Sequence, residues 1–299
     1  MDLTINKGLY VVAVSGGVDS MVLLDILRKK PGLELVIAHF NHGIRGDAIK
    51  DETLVVKTAT KYSLKHEIGH GMLGSGTSEA KARHARYDFL ISTRKKYNAK
   101  VIITAHHQDD LIETALISVF RGTGRSGLVS MIHNKEVLRP LINIPKRSLI
   151  KYAENNNIVW SEDSTNDDDI YLRNYIRRHI LNNAIDSDKV KLLREIDKVA
   201  IIGNKIDNII ATISQNVIKE GLVSRDTFIK LPSEIADELM IYWLKKLGLN
   251  SFNRKTVARL SNAIKTGLHG TKHEVFQGYK LEIGQFTAQF SNGVSSRLL

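Results

Sequence analysis

The chain has 299 residues, 42% of them hydrophobic and 25% charged, with no cysteine. That composition excludes a disordered polymer, a disulfide scaffold and any chemistry that runs through a protein thiolate, including thiolate-bound zinc, iron–sulfur clusters and persulfides. Lysine and arginine outnumber acids 43 to 32 for a net charge of +11, which favours a polyanionic partner because a basic surface releases counterions from a phosphate backbone.

The first ten residues, MDLTINKGLY, carry an acid and no basic segment ahead of an apolar stretch, so no secretory or transit peptide is expected. The longest apolar runs are far too short to cross a bilayer. Both readings predict a cytoplasmic protein with no membrane association.

Short β-rich runs then alternate with helix-length amphipathic stretches. Strands are expected at residues 9–14, 33–40, 64–70 and 100–106, and the rhythm predicts βαβ units in a mostly parallel sheet with helices on both faces. Ligands bind such sheets at the carboxyl ends of the strands. The residues with chemistry on them fall there, at 15–20, 41–47 and 106–113.

At the end of the first strand stands SGGVDS. Glycines at a strand-to-helix turn leave backbone N–H groups unobstructed, and a helix starting near Val18 adds its unpaired first-turn amides, which makes a phosphate cradle of Ser15, Gly16, Gly17, Val18, Asp19 and Ser20. The spacing is neither G-x-x-x-x-G-K-[ST] nor G-x-G-x-x-G, and the loop has no lysine of its own. An aspartate here would repel phosphate unless a cation intervened, so Asp19 points to Mg²⁺ arriving with a nucleotide. A plain helix N-cap role for Asp19 is the competing reading.

Further along, EAKARHARYDFL places Arg83 and Arg86 three apart on one helix, a spacing suited to gripping phosphate. TAHHQDDLIETALISVF follows the fourth strand and gathers Asp109, Asp110 and Glu113 in the first turns of a helix, an acidic cluster that calls for cations. An acidic first turn that only complements the helix dipole is the alternative. RGTGRSG sets Arg121 and Arg125 among three glycines, Arg139 precedes Pro140, and Arg173, Asn174 and Arg177 share a helical face after an STN cap at 164–166. The acidic run at 167–169 reads as a solvated cap. His39, His42, His106 and His107 sit near strand ends, where they read as ligand-positioning groups rather than a zinc site, since no cysteine accompanies them.

After about residue 182 the character changes. Val199, Ile202, Ile206, Ile209, Ile213 and Val217 form a helical stripe read as core, and strand-like alternation returns from about Lys272. The expected organisation is a catalytic α/β domain over 1–185 and a smaller, mainly helical domain over 186–299 with a short C-terminal β element. Exposed bases at Lys245, Lys246, Arg254, Lys255 and Arg259 are candidates for phosphate contacts there.

SGGVDS resembles the pyrophosphate-binding loop of the N-type ATP pyrophosphatases. Together with AHFNHGIRGD, EAKARHARYDFL, TAHHQDDLIETALISVFRGTGRSGL and EDSTNDDDIYLRNYIRRHI, in that order over residues 10–180, it resembles the tRNA(Ile)-lysidine synthetase family. That resemblance implies a Rossmann-like PP-loop ATPase. Its members adenylate the C2 oxygen of the wobble cytidine in a CAU anticodon and let the ε-amine of free L-lysine displace AMP, so that tRNA(Ile) reads AUA instead of AUG. On that basis ATP and Mg²⁺ are expected, with Asp19 and Asp109 as metal ligands. His39, Asn41 and His106 would border the nucleotide, and Asp109, Asp110, Glu113, Arg83 and Arg86 the reacting centre. His42, Arg45, Arg121, Arg125, Arg139, Arg173, Asn174 and Arg177 would face the tRNA or the reacting nucleotide.

Free lysine's amine, with a pKa of about 10.4, must lose a proton before it attacks, and the acidic cluster offers the acceptor. Which carboxylate it is stays open, as does the oligomeric state, for which a homodimer is carried forward. Longer members of the family have a further C-terminal domain that helps grip the tRNA, so recognition of the acceptor stem is open too. A cytidine-thiolating sister enzyme needs cysteine and is excluded. An ammonia-using metabolite synthetase and a non-catalytic nucleotide sensor remain as competing classes.

Overall fold

The computed structural model describes residues 3–43, 48–71, 77, 79–129, 131–132, 136–161, 172–249, 252–276 and 278–292. By packing, the chain divides into one unit of residues 1–122 and 127–194 and another of 123–126 and 195–299.

The first unit is built on a five-stranded sheet, β1 (Gly8–Ala13), β2 (Leu33–Asn41), β3 (Lys65–His70), β4 (Ile102–Ile103) and β5 (Val137–Leu138). The order is β3-β2-β1-β4-β5 and every pair is parallel. Alternation along the strands sends side chains to two buried faces, as a parallel sheet covered on both sides requires. Val12, Ile37 and Ile103 pack with Leu23, Leu24 and Leu27 of α1 (Val18–Arg28), Val55 and Ala59 of α2 (Ala48–Lys61), and Leu149 of α6 (Lys146–Asn155). Val11, Val36 and Ile102 face the other way, onto Leu90 of α3 (Glu79–Lys96). The strand expected at 100–106 is hydrogen-bonded as a strand only at Ile102–Ile103, and β5, an edge strand of two residues, escaped notice in the sequence because two residues carry no period.

The strand order reverses between β1 and β4, the position where open α/β sheets hold their ligands. The loop after β1 enters α1, and the segment after β4 enters α4 (Gln108–Phe120). This places SGGVDS beside the histidine-and-acid segment. Beyond α5 (Gly124–Leu128) and α6 lies α7 (Leu172–Tyr175), which runs into a π-helical turn, Ile176–Leu181. Ile176 and Leu181 are both buried against Ile112, and widening the turn lets two apolar residues five apart share one face.

The second unit contains most of α8 (Asp186–Val217), then α9 (Arg225–Ile229), α10 (Ser233–Lys246) and α11 (Arg254–Thr266). Its sheet has five antiparallel strands in the order β6-β7-β10-β9-β8: β6 (Ile218–Lys219), β7 (Leu222–Ser224), β8 (Lys272–Glu274), β9 (Tyr279–Ile283) and β10 (Thr287–Asn292). The C-terminal β element is therefore larger than expected, because a hairpin directly after α8 joins it. Phe228, Met240, Trp243, Leu260, Ile264 and Leu281 form the core of this unit.

The stripe read as the core of α8 holds at Val217, which is buried, and at Ile206 and Ile213, which pack partly buried against the core, and is corrected at two positions. Ile202 and Ile209 are more than half exposed, and the buried face runs through Ile196, Ala200, Gly203, Ile210, Ser214 and Val217. Small residues line it where Arg125 approaches, its guanidinium donating to the Gly203 carbonyl at 3.2 Å, and a hydrophobicity count does not register small residues as core.

Candidate active site

The loop after β1 is shaped by its glycines. Gly16 adopts φ +95°, a left-handed conformation that a side chain would strain. Its carbonyl accepts from the Ser161 amide at 3.0 Å, so the loop is pinned from outside. Gly17 is the N-cap of α1, and Val18, Asp19 and Ser20 are its first three residues, whose amides have no intrahelical carbonyl to reach. The Ser20 hydroxyl, expected as a phosphate donor, is buried and spent on the loop: it donates to the Gly17 carbonyl at 2.9 Å and accepts from the Ser15 amide at 3.2 Å. Ser15 stays exposed.

Asp19 faces two basic side chains. Lys146, the first residue of α6, puts Nζ 2.7 and 2.6 Å from its two carboxylate oxygens. His107 brings Nε2 to 3.6 Å of Oδ2. Burial pushes the Asp19 carboxyl up, but His107 and Lys146 outweigh it and hold the group below the usual carboxylate range. Lys146 was not singled out in the sequence, where it stands 127 positions from Asp19.

The buried His107 is also the N-cap of α4. Its Nδ1 accepts from the Asp110 amide at 3.4 Å, and its own amide donates to Asp110 Oδ2 at 2.9 Å, a reciprocal capping box. Burial pulls the imidazole down, yet Asp19 and Asp110 leave it above its ordinary value. One histidine thus joins the loop after β1 to the acidic turn after β4.

The three acids of that turn have different surroundings. Glu113 is buried, and Arg177 from the π-helical turn lies side-on against it, Nε 2.7 Å from Oε1 and the second nitrogen 3.1 Å from Oε2. Arg173 adds a longer contact at 3.7 Å. Burial raises the Glu113 carboxyl, partly offset by Arg177. Asp110 is committed to the cap and lies 3.6 Å from Arg177. Asp109 is partly buried and has no hydrogen-bond or ion-pair partner among the described residues. The cations that the cluster called for are therefore supplied in part by the protein's own arginines. Among the described residues no group of three His, Cys, Asp or Glu side chains converges as a metal cage.

A second basic group surrounds His106. Its Nδ1 is 2.8 Å from the Thr104 hydroxyl. Burial and the charges of Arg139, Arg86, Arg83 and Arg173 push its imidazole down to about 3. Arg83 and Arg86 hold their guanidinium carbons 5.0 and 5.7 Å from the Tyr87 ring centroid. Arg139 is buried, donates to the carbonyls of Met131 at 2.8 Å and Val137 at 3.4 Å, and has a buried Nε without a partner.

The remaining candidates divide. His39 Nδ1 lies 2.8 Å from the Val14 carbonyl, which can only accept, so the proton sits on Nδ1 and the buried, unpartnered Nε2 is an acceptor. Asn41 is used by the fold: its amide donates to Glu52 at 3.0 Å and its oxygen accepts from the Gly43 amide at 2.9 Å. His42 packs edge-on against Phe40 with centroids 5.0 Å apart. Asn174 is partly buried on α7, and Arg121 is exposed at the C-cap of α4. Arg125, expected at the substrate, is instead held inside the second unit by Glu238 and Asp207, each at 2.7 Å. Arg45 and the stretch 162–171 lie outside the described residues.

Comparison with known proteins agrees with this architecture. The PP-loop domain family matches residues 4–184. The tRNA(Ile)-lysidine synthase of Francisella tularensis subsp. holarctica is 32% identical over 289 residues, 91% of this chain and 71% of that protein. The enzyme of the same name from Mesoplasma florum is 30% identical over 292 residues, 93% of this chain and 70% of that protein. Among solved structures, the U34-tRNA thiolase NcsA from Methanococcus maripaludis with its [4Fe-4S] cluster superposes with a TM-score of 0.51 over 65% of this chain and 73% of that one. At 18% identity this shows a shared fold and nothing more. With the glycine loop at the switch point, the acidic turn beside it and two long matches, the chain belongs to the tRNA(Ile)-lysidine synthase family, built on a PP-loop domain.

Proposed function

We propose that the protein ligates free L-lysine to C2 of the wobble cytidine of a tRNA(Ile) with a CAU anticodon, consuming ATP and releasing AMP and pyrophosphate, so that the tRNA reads AUA in place of AUG. The observation that carries this reading is the 3.6 Å approach of His107 to Asp19, which sets the loop for ATP and the acidic turn side by side at one mouth of the sheet.

In the first step the cytidine's C2 oxygen bonds to the α-phosphorus, the α–β bridging bond breaks, and its electron pair leaves with pyrophosphate. The loop amides hold the polyphosphate, and Arg83 and Arg86 offset the charge that develops at the α-phosphorus. In the second step the neutral ε-amine attacks C2 and the C2–O bond breaks with its electrons on AMP. Asp109 is the carboxylate left to accept the amine's proton, because Asp110 serves the cap and Glu113 is occupied by Arg177. Glu113 then acts as a positioning residue for Arg177 and Arg173, which, with Arg139 and Asn174, face the tRNA. His39 offers its Nε2 acceptor to the nucleotide. Mg²⁺, when carried in on the polyphosphate, would meet Asp19 and offset phosphate charge there, while Asp109 stays free of metal to act as the base.

The second unit is proposed to contact tRNA, and the net charge of +11 supports a nucleic-acid partner. Among the described residues no helix is long and apolar enough to cross a membrane.

The reading is tested by pyrophosphate release from ATP with each substrate combination. Release that requires CAU-bearing tRNA and proceeds without lysine supports adenylation of the RNA first. Release driven by ammonia and a small acid in the absence of tRNA favours a metabolite synthetase.

A further inference from the structure

The loop after β1 has the amides of a phosphate cradle and no lysine in its own sequence, although the common nucleotide loops place one there. The structure brings a lysine to the same place from another element. Lys146 opens α6 and spans both oxygens of Asp19 at 2.7 and 2.6 Å, one residue beyond the first amide of α1. Its side chain and that of Asp19 keep about a third and a quarter of their surface open, at 33% and 27%, so the pair is reached from solvent rather than sealed in the core.

The backbone that carries Lys146 is fixed. Leu149 and Ala153 of α6 are fully buried in the same core as Leu23, Leu24 and Leu27 of α1. Nearly two turns further along, the buried Asp25 of α1 accepts from the Tyr152 hydroxyl at 3.0 Å, from Lys29 at 2.6 Å and from Arg28. These contacts anchor the α1–α6 pair at its far end and leave the near end as the place where Lys146 reaches the loop. A buried cluster that only stabilised the packing would not need a second, half-open ion pair at the phosphate cradle, where exposed pairs contribute little.

We propose that Lys146 supplies the polyphosphate-binding ammonium that the loop lacks, moving from Asp19 to the β- and γ-phosphates when ATP enters. This rests on the reading of the loop as an ATP site and does not depend on what is adenylated. As the α–β bridging bond breaks, the charge gained by the departing pyrophosphate lies within reach of the ammonium, so Lys146 assists the leaving group as well as binding it.

The test uses the full chain with inorganic pyrophosphate as the calorimetric probe, and ATP cleavage as the kinetic one. Lys146→Met is expected to weaken pyrophosphate binding about tenfold or more, and Lys146→Arg to keep it within about threefold. The double variant Asp19→Asn with Lys146→Met removes both charges and so guards against unfolding from one unpaired partner. It is expected to keep the wild-type melting temperature while binding pyrophosphate as poorly as Lys146→Met. The proposal is overturned if the double variant binds pyrophosphate like the wild type, if Lys146→Met lowers the melting temperature with pyrophosphate affinity unchanged, or if the wild-type protein does not bind pyrophosphate. Failure of lysine incorporation with pyrophosphate binding intact would overturn the proposed function and leave this assignment standing.

Discussion

Arg177 lays its guanidinium side-on against the carboxylate of Glu113, 64 residues away in sequence, through two hydrogen bonds of 2.7 and 3.1 Å. This is the geometry in which a planar guanidinium matches a carboxylate best. It ties the π-helical turn to α4 directly behind the acidic cluster.

Breaking the pair by one partner leaves a buried charge. Glu113→Gln and Arg177→Met are each expected to destabilise the fold by about 2–3 kcal/mol, below the roughly 3–5 kcal/mol of a fully buried pair because Arg177 is still reached by solvent. Urea unfolding of both single variants and the double variant gives the coupling. A coupling energy near zero contradicts the account.

Acid should weaken the fold through His106. Its imidazole is pushed down to about 3, against about 6.5 in an unfolded chain. Between those values the unfolded state binds more protons, so stability is full above about pH 6.5 and is lost as pH falls, by at most about 1.4 kcal/mol per unit. His106→Asn is expected to flatten that slope in unfolding free energies measured from pH 7 to pH 4. An unchanged slope contradicts the assignment.

Arg125 separates a structural role from RNA contact. Held by Glu238, Asp207 and the Gly203 carbonyl, it is expected on substitution by alanine to lower stability by about 1–2 kcal/mol and to leave the KM for tRNA unchanged. A raised KM at constant melting temperature returns it to the substrate surface.

Two of the exposed bases between α10 and α11 work against their own helix. Arg254 and Lys255 stand in the first turn of α11, where the dipole disfavours positive charge, whereas Lys245 and Lys246 end α10, where it favours it. Arg259 is set apart, since it donates to the Glu274 carbonyl. Reversing the other four to glutamate is expected to raise the KM for tRNA about tenfold or more while the KM for ATP stays put. Equal KM values for tRNA before and after contradict a role in binding.

The parallel sheet and its ligand end were legible because β1 and β2 are continuous apolar runs and because Gly16 and Gly17 punctuate a strand-to-helix turn. Capping by His107 was missed, since histidine is not an ordinary cap residue. Asp19–Lys146 and Glu113–Arg177 join residues 127 and 64 positions apart, and no local pattern encodes such pairs. Ile206, Ile213 and Val217 of α8 pack on the core as their period implies, and the misreading is confined to its neighbours: Ala200, Gly203 and Ser214 are buried for their small size, while Ile202 and Ile209 point outward.

Transfer of labelled L-lysine to unmodified tRNA(Ile) bearing CAU, with ATP and Mg²⁺, tests the central claim most directly, comparing the native protein with Asp109→Asn. The account predicts ATP-dependent transfer by the native protein, and in the variant transfer reduced by about 10²-fold or more with tRNA-dependent pyrophosphate release retained. Absence of transfer by a folded native protein that binds ATP and this tRNA would contradict it.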